Sequence, residues 1–491
     1  MLKKYLFFSC IVCIVTIFAC RSEDDFITSN SAKLEFSLDT LRFDTVFTER
    51  GSATRILKVY NTHNKSILIS NISLASPNSS FRINVDGLPT ASIDDIEIAA
   101  KDSLYIFGEV TVDPDAPVSV SPYVIYDEIV FETNGNTQTV KLEAWGQNAN
   151  YIPNRFSADS LSVLNCNGGE VIWDDPKPYV VFGVLFVDNC TFRIAAGTRI
   201  HFYGGLSRFE DGEGNTTIYN DGLLYILPGG KLKVEGTIED PVIFQGDRLE
   251  EDFEEVSGQW AGIRLAAGSS GHVMENTIVK NSVVGVRADS TNLILKNVQF
   301  YNTSGSGLIS VHSNISAENS LFHSNNGNCV QLEYGGVHDF KYCTLASYGV
   351  DASALRMTNV LCLDQFCTEY RQFPLNASFK NSIIFGSRKD EISLFAVPEA
   401  DFNYNFEDCI VRVDELDDEG SNFTDFFDHC DPCINATNGD TVFFDVDEDD
   451  YHLDTLSIAE GIAMPFPTIL FDLDGNERDT DTPDLGCYEY Q

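Results

Sequence analysis

Lys296-Asn297-Val298-Gln299-Phe300 decides the fold, because the chain repeats this phrase about every 22 residues over four copies and once more after a longer insertion. The other copies are Glu275-Asn276-Thr277-Ile278-Val279, Glu318-Asn319-Ser320-Leu321-Phe322, Lys341-Tyr342-Cys343-Thr344-Leu345 and Lys380-Asn381-Ser382-Ile383-Ile384. A second phrase keeps step with the first, as in Gly262-Ile263-Arg264-Leu265 and Gly285-Val286-Arg287-Ala288. Two short strands per period, without a helical segment between them, predict the coils of a β-solenoid.

Alternation within the first phrase predicts which side chains face the core. Successive side chains of a strand point to opposite sides, so equivalent residues of successive coils are expected to stack. The predicted inward column is Val279, Phe300, Phe322, Leu345 and Ile384, beside Thr277, Val298, Ser320, Cys343 and Ser382. The asparagine of most copies is predicted to be structural, because a short amide binds the backbone at a turn and stacks along the solenoid axis.

Upstream of the repeats, residues 33–148 alternate apolar and polar positions with a period of two. Arg55-Ile56-Leu57-Lys58-Val59-Tyr60 is typical, and turn residues such as Asp86-Gly87 separate runs of this kind. Short strands at this spacing predict an immunoglobulin-like β-sandwich, in which Trp145 is expected to belong to the core. The solenoid is predicted to occupy residues 155–491, with an irregular acidic segment closing it.

The first residues have the layout of a secretory signal. Lys3 and Lys4 precede an apolar run that ends at Cys20, and this run is shorter than the roughly 20 residues of a membrane-spanning helix. Ala19-Cys20 resembles the lipobox of bacterial lipoproteins, which implies a signal peptide at 1–19, lipid on Cys20 and a linker at 20–32. The acidic residues that follow resemble a surface-export tag of one group of Gram-negative bacteria. They imply an outer-membrane anchor at the cell surface, with the periplasmic face as the alternative.

Charge and cysteine content narrow the choice of partners. A formal net charge of −42 over 491 residues excludes nucleic acids, because phosphate binding needs lysine and arginine to displace counterions. An exported compartment permits disulfides, and Cys362 with Cys367 or Cys430 with Cys433 are close enough in sequence to pair. Zinc at the second pair is disfavoured, because a structural zinc site usually needs two such pairs.

Pro241-Val242-Ile243-Phe244-Gln245-Gly246-Asp247-Arg248-Leu249 followed by Gly258-Gln259-Trp260-Ala261-Gly262-Ile263 resembles the right-handed β-helix lipoproteins of Gram-negative bacteria that live on complex glycans. The segment from Asp472 to Tyr490 is similar to the one that closes such helices, with Cys487 in place of the usual alanine, so a disulfide is expected there. Residues 33–148 resemble anchor or transport-associated domains, which implies a spacer or docking module. The resemblance implies an all-β protein, with a sandwich followed by a right-handed parallel β-helix.

Outward positions of the second phrase form the candidate binding surface. They align as Arg264, Arg287, Ile309, Gln331 and Arg356. Arginines in register are suited to bind carboxylate or sulfate groups of an extended glycan through bidentate hydrogen bonds. Tyr301 and His323 are predicted to offer stacking surfaces on the neighbouring face. The alternative is that the arginines simply pair with surface acids. The leading interpretation is a non-catalytic lipoprotein that binds a polysaccharide or a surface protein.

Two other functions stay open. A polysaccharide lyase acting on an acidic glycan needs a base, for which Arg264, Arg287 or Lys280 are candidates, and a cation such as calcium. The sequence identifies no catalytic residues and no metal ligands. Gly271-His272-Val273 lacks the Gly-His-Gly signature of pectin hydrolases, which argues against that class of enzyme. Asp472-Leu473-Asp474-Gly475-Asn476 is interpreted as a turn rather than a calcium loop. The third interpretation is a purely structural or adhesive rod.

Overall fold

The computed structural model describes residues 26–47, 52, 54–111, 123–153, 161–204, 206–210, 216–250 and 253–491. The predicted signal peptide and Cys20 lie outside the described residues. The chain divides into two compact units between Asn148 and Ala149. In the part that the structure describes, no helix is long and apolar enough to cross a membrane.

Two five-stranded sheets form the first unit. One sheet has the strand order Glu35–Phe36, Arg55–Tyr60, Ser103–Val110, Phe81–Val85 and Leu88–Thr90. The other has the order Thr40–Phe47, Asn136–Gln147, Tyr123–Thr133, Ile67–Leu74 and Ser92–Ile98. Neighbouring strands are antiparallel except at one edge of the second sheet, where Thr40–Phe47 runs parallel to Asn136–Gln147.

Both sheets of this unit share one apolar core. The ring centroids of Phe36 in the first sheet and Phe131 in the second are 4.9 Å apart, which places the sheets face to face as a β-sandwich. Trp145 is 47% exposed, whereas Ala144 before it is buried. The expectation that Trp145 belongs to the core is wrong, because strand alternation turns inward the small residue before it and leaves the indole outside.

The second unit is a parallel solenoid whose coils contribute strands to three faces. The first face contains Leu161–Asn165, Val184–Asp188, Leu223–Ile226, Trp260–Leu265, Ser282–Asp289, Leu355–Thr358 and Ile392–Phe395. The second contains Asn150–Ile152, Tyr179–Phe182, Arg199–Tyr203, Val242–Gly246, Leu321–Phe322, Thr344–Ser347, Ile383–Gly386, Cys409–Val411 and Cys433–Asn435. The third contains Glu170–Trp173, Thr191–Ala195, Lys231–Glu235, Leu375–Lys380 and Phe402–Glu407.

Four longer strands bend around a corner and serve two faces. Leu308–Glu318 and Val330–Lys341 join the first face to the third, and His272–Lys280 and Asn292–Tyr301 join the third to the second. The first strand of the solenoid sheet begins at Asn150, slightly before the predicted residue 155.

Shorter elements lie outside the coils. The antiparallel hairpins are Leu206–Glu210 with Thr216–Asn220, Val360–Cys362 with Tyr370–Gln372, and Phe443–Asp445 with Asp450–Leu453. The described 3-10 helices are Phe426–His429 and Val446–Glu448.

The predicted inward column is confirmed. Strand register pairs Val279 with Phe300, Phe300 with Phe322, Phe322 with Leu345 and Leu345 with Ile384. Each of these side chains is fully buried, and the rings of Phe300 and Phe322 stack with centroids 5.1 Å apart. Burial of this kind contributes about 1.5–3 kcal/mol for each large apolar side chain.

The repeated asparagine forms a tight corner between the third and second faces. Asn276, Asn297, Asn319 and Asn381 all have a positive φ between 44° and 53°. Asparagine tolerates this left-handed conformation better than most residues, since its side chain hydrogen-bonds locally. The amide of Asn297 also donates to Oδ1 of Asn276 one coil earlier, at 3.0 Å. The predicted structural role of this asparagine is confirmed.

Residues 443–491, which we call the tail, pack against the second face and share a second apolar core with it. Arg478 is buried within the tail and pairs with Glu489 at 3.2 Å. The same guanidinium donates to Oδ1 of Asn319 at 2.9 Å and lies over the ring of Tyr342 at 4.0 Å, so it links the tail to the coils. Asp472 accepts hydrogen bonds from the backbone N–H groups of Asp474, Asn476 and Glu489, which confirms that this loop is a turn.

Six cysteines of the described residues form disulfides. Cys362–Cys367 and Cys430–Cys433 pair as the sequence predicts, and Cys166–Cys190 is a third bond that the sequence did not indicate. Cys487 is a buried free thiol, like Cys329, Cys343 and Cys409. The expected disulfide at Cys487 is therefore wrong, because this thiol packs as a small apolar side chain in the core between the tail and the second face.

Candidate functional site

One line of outward side chains runs along the first face. Strand register aligns Tyr225, Arg264, Arg287, Ile309, Gln331, Arg356 and Ser393, in that order, and we call this line the arginine column. Six steps of about 4.8 Å give it a length of roughly 29 Å. The alignment predicted from the sequence is thus present, and it is long enough to contact several units of an extended ligand.

Two arginines of the column share one carboxylate. Arg264 and Arg287 each donate from Nε to Asp289, at 2.9 Å to separate oxygens. Their side chains are 44% and 41% exposed. The guanidinium of Arg264 also lies 5.2 Å from the ring centroid of Tyr225. The carboxylate holds both guanidinium groups through Nε. Among the described residues, no hydrogen bond involves their terminal nitrogens, which are therefore available to a ligand.

The same arrangement recurs two coils further on. Arg356 donates from Nε to Oε1 of Glu333 at 2.9 Å, and the amide of Gln331 donates to that oxygen at 2.6 Å. Ser306 donates to Oε1 of Gln331 at 3.2 Å, which fixes the orientation of the amide. The arginines therefore do form ion pairs with acidic residues at the surface, as the alternative interpretation predicted. Pairing through Nε alone still leaves a planar edge of donors on each guanidinium.

Tyr301 and His323 lie on the second face, apart from the arginine column. Their rings stack with centroids 4.9 Å apart, and Tyr451 of the tail covers His323 at 4.8 Å. His323 is only 6% exposed. Burial raises the pKa of the Tyr301 hydroxyl above its usual range. An open stacking surface on His323 is thus a wrong expectation, because a segment more than a hundred residues later folds over the ring.

A different group of rings borders the first face. His312, Tyr334 and Phe373, which we call the aromatic ledge, have ring centroids between 3.9 and 5.5 Å apart. Phe373 is 42% exposed, and the other two are half-buried. Tyr334 directly follows Glu333, which holds Arg356. The sequence carried a signal for this ledge, since His312 and Tyr334 stand two residues after the second phrase in successive coils.

A polar cleft of about 550 Å³ opens where the arginine column ends. Arg356 and Ser393 line it together with Arg388, Asp390 and Glu415. Glu391 lies buried beside Arg388 and accepts hydrogen bonds from the backbone N–H groups of Ala354 and Arg388. Burial raises the pKa of the Glu391 carboxyl to about 7.

The described residues show no cluster of three or more histidine, cysteine, aspartate or glutamate side chains placed to hold a metal ion. In the loop that most resembled a calcium site, the Asp472 carboxylate is taken up by backbone N–H groups. Lys280, a candidate base, lies on the second face with its amine 5.6 Å from the ring centroid of Tyr301.

A family model described as a right handed beta helix region matches residues 182–347 of this chain. Together with the parallel sheet of the second unit, this match confirms the predicted all-β fold class, a β-sandwich followed by a right-handed parallel β-helix. No curated protein matches the chain.

Several solved structures are distantly similar, three of them as follows. A protein of unknown function from Porphyromonas gingivalis W83 is 13% identical, over a match that covers 28% of this chain and 59% of that protein, with a TM-score of 0.18. The PapD-like domain 7 of human CEP192 is 10% identical over 26% of this chain and 92% of its own length, with a TM-score of 0.16. The catalytic unit of a GH87 alpha-1,3-glucanase from Streptomyces thermodiastaticus is 12% identical over 74% of this chain and 72% of its own length, with a TM-score of 0.29. Likenesses this weak carry no argument about function.

Proposed function

We propose that this protein is a lipid-anchored outer-membrane protein, displayed at the cell surface, that binds a glycan along the arginine column without processing it. The observation that carries the proposal is the alignment of Arg264, Arg287 and Arg356. Each guanidinium is held by a carboxylate through Nε, on a side chain that is 41–44% exposed. A rigid row of planar donors costs little side-chain entropy on binding.

The aromatic ledge supports a carbohydrate ligand over a protein one. Sugar rings have apolar faces that pack on aromatic side chains, while their hydroxyl groups hydrogen-bond to planar polar groups. Phe373 and Tyr334 supply such rings at the border of the face that carries Arg356. The ligand therefore has to match a polar surface of ion-paired arginines that is bordered by aromatic rings.

The proposed anchor follows from the sequence. An apolar segment that ends at Ala19-Cys20 is suited to cleavage before the cysteine and acylation of its thiol. The sandwich at residues 33–148 would then act as the spacer between the lipid and the β-helix. Metabolic labelling with a fatty acid tests this part directly: wild-type protein should carry label, and Cys20→Ala should carry none. Equal label in both proteins would refute the anchor.

The binding role is tested with residues 21–491 on a glycan array. We expect the Arg264→Ala, Arg287→Ala, Arg356→Ala triple variant to lose binding. A matched control, Arg193→Ala, Lys233→Ala, Lys296→Ala, removes the same charge from the third face and should bind like wild type. Equal loss in both variants would show that charge alone matters and would refute the column as the site.

Product analysis in the same assay separates the alternatives. An ultraviolet-absorbing unsaturated product would move the protein to the polysaccharide lyases. Absence of binding by the wild-type protein would refute the glycan proposal and leave the structural rod.

A further inference from the structure

The cleft at the end of the arginine column is continuous with it. Arg356 and Ser393 are neighbours in strand register, and both line the cleft. Hydroxyl and amide groups at Asn328, Ser353 and Ser421 also line it, together with the apolar residues Ala352, Ile392, Leu394 and Leu416. A volume of about 550 Å³ falls within the usual range of small-molecule sites. An extended ligand on the column would therefore place one of its units in this cleft.

Charges in the cleft are balanced rather than positive. Arg388 pairs with Asp351, and Lys389 beside the cleft pairs with Glu415 at 2.6 Å. Asp390 contributes a further carboxylate, whose Oδ1 accepts the backbone N–H groups of residues 414 and 416. Two arginines against three carboxylates give the lining no excess of positive charge.

The column has three arginines against two carboxylates, so the column and the cleft, which share Arg356, together hold four arginines against five carboxylates. Asp289 serves Arg264 and Arg287, and Glu333 serves Arg356. The whole chain carries a net charge of −42. A polyanionic glycan would thus gain little attraction from the local charges and would be repelled by the rest of the protein.

We infer that the cleft binds a neutral sugar unit, which rests on the proposed glycan-binding function and names the class of ligand. A sugar hydroxyl both donates and accepts a hydrogen bond, so a guanidinium beside a carboxylate satisfies both of its roles. A paired arginine and aspartate, with serine hydroxyls in the same cleft lining, therefore suit vicinal hydroxyl groups better than a carboxylate or sulfate. This replaces the anionic ligand that the arginines alone suggested.

Substitution of Ser393 tests the cleft. Ser393 points outward from the strand Ile392–Phe395, so Ser393→Tyr should fill the cleft while a tyrosine is well accepted in a strand. Ser316→Tyr is the matched control, because Ser316 is an outward position on the third face, next to Ile294 in register. Circular dichroism and the melting temperature of both variants check that the fold is intact.

The probes are neutral hexasaccharides of glucose, mannose, galactose and xylose, set against hexagalacturonate and a heparin hexasaccharide. Binding is measured by calorimetry at low and at high sodium chloride. We expect a neutral probe to bind with an affinity that changes less than about twofold with salt. Ser393→Tyr should weaken it by roughly tenfold or more, and Ser316→Tyr should leave it unchanged.

The outcomes separate the two proposals. Binding of only the acidic probes, falling with salt, would overturn the neutral-sugar inference and leave the glycan-binding function standing. Neutral binding that Ser393→Tyr does not affect would place the ligand outside the cleft and also overturn the inference. No binding of any probe, with no binding on the array, would overturn both.

Discussion

Replacing Arg478 with leucine should release the tail from the β-helix. The guanidinium is buried between the Glu489 carboxylate and the ring of Tyr342, and it donates to Asn319 and to the backbone oxygen of Gly486. Arg478→Leu leaves the carboxylate buried without its cation. Breaking a buried pair in this way costs about 3–5 kcal/mol.

Hydrogen exchange locates that loss. The N–H of Gly486 donates to Asn381 and the N–H of Cys487 to Thr344, so both report tail docking. Each 1.4 kcal/mol corresponds to a factor of ten, so these amides should exchange roughly a hundred to a few thousand times faster in Arg478→Leu. Amides of inward coil residues such as Phe300 should keep their protection, because the tail opens as a separate unit.

A second variant separates the charge from the packing. Arg478→Leu with Glu489→Gln removes the unpaired charge and should recover roughly half of the lost stability. Burial already raises the pKa of Glu489, and loss of Arg478 raises it further. A raised carboxyl pKa favours the neutral form in the folded protein, so the defect of the single variant should shrink as the pH falls. A double variant no more stable than the single one, or tail amides that exchange as in wild type, would refute this reasoning.

Three further predictions concern the coils and the tail. Phe300→Ala should lower the free energy of unfolding by about 3–5 kcal/mol in denaturant titrations, because it leaves a cavity in the inward column; a loss below about 1 kcal/mol would contradict the stacking. The hydrogen bonds that the His452 imidazolium donates to the carboxylates of Asp474 and Asp450 raise its pKa to about 9. Its stabilising effect, on the order of 1 kcal/mol after solvent screening, is therefore present below pH 6.5 and lost as the pH rises through 9. His452→Gln should abolish that slope in melting curves, and a persisting slope would assign it elsewhere. Because the folded pKa of Glu391 is about 7 and its ordinary value is 4.5, stability should fall as the pH rises between these values, and Glu391→Gln should flatten this fall.

The sequence predicted features that repeat along the chain. The inward column and the asparagine corner were predictable, because each recurs at a fixed interval and obeys strand alternation or turn chemistry. The arginine column was predictable for the same reason. The carboxylates that pair with these arginines were not predictable, because an acidic residue does not recur in every coil. Asp289 and Glu333 occupy equivalent positions, but the coil between them has Val311 there.

Features that depend on distant segments escaped prediction. Tyr451 of the tail packs on the buried His323, and no local sequence pattern predicts a contact between residues so far apart in the chain. The cleft combines Arg356 with Arg388 and Glu415 from two later, irregular turns. The anchor at Cys20, the ligand and the cellular location stay predictions.

The asparagine corner has a consequence for how such a protein can vary. In the coils that carry it, this corner joins the third and second faces without a loop, whereas longer connections such as residues 323–329 and 359–374 lie at the two borders of the first face. Loop length at those borders can change without shifting any inward side chain, since closing a longer loop costs little additional free energy. Ligand specificity would therefore depend on the border loops of each coil, and stability on its inward side chains. New ligand preferences can be acquired, or engineered, by exchanging border loops on an unaltered core.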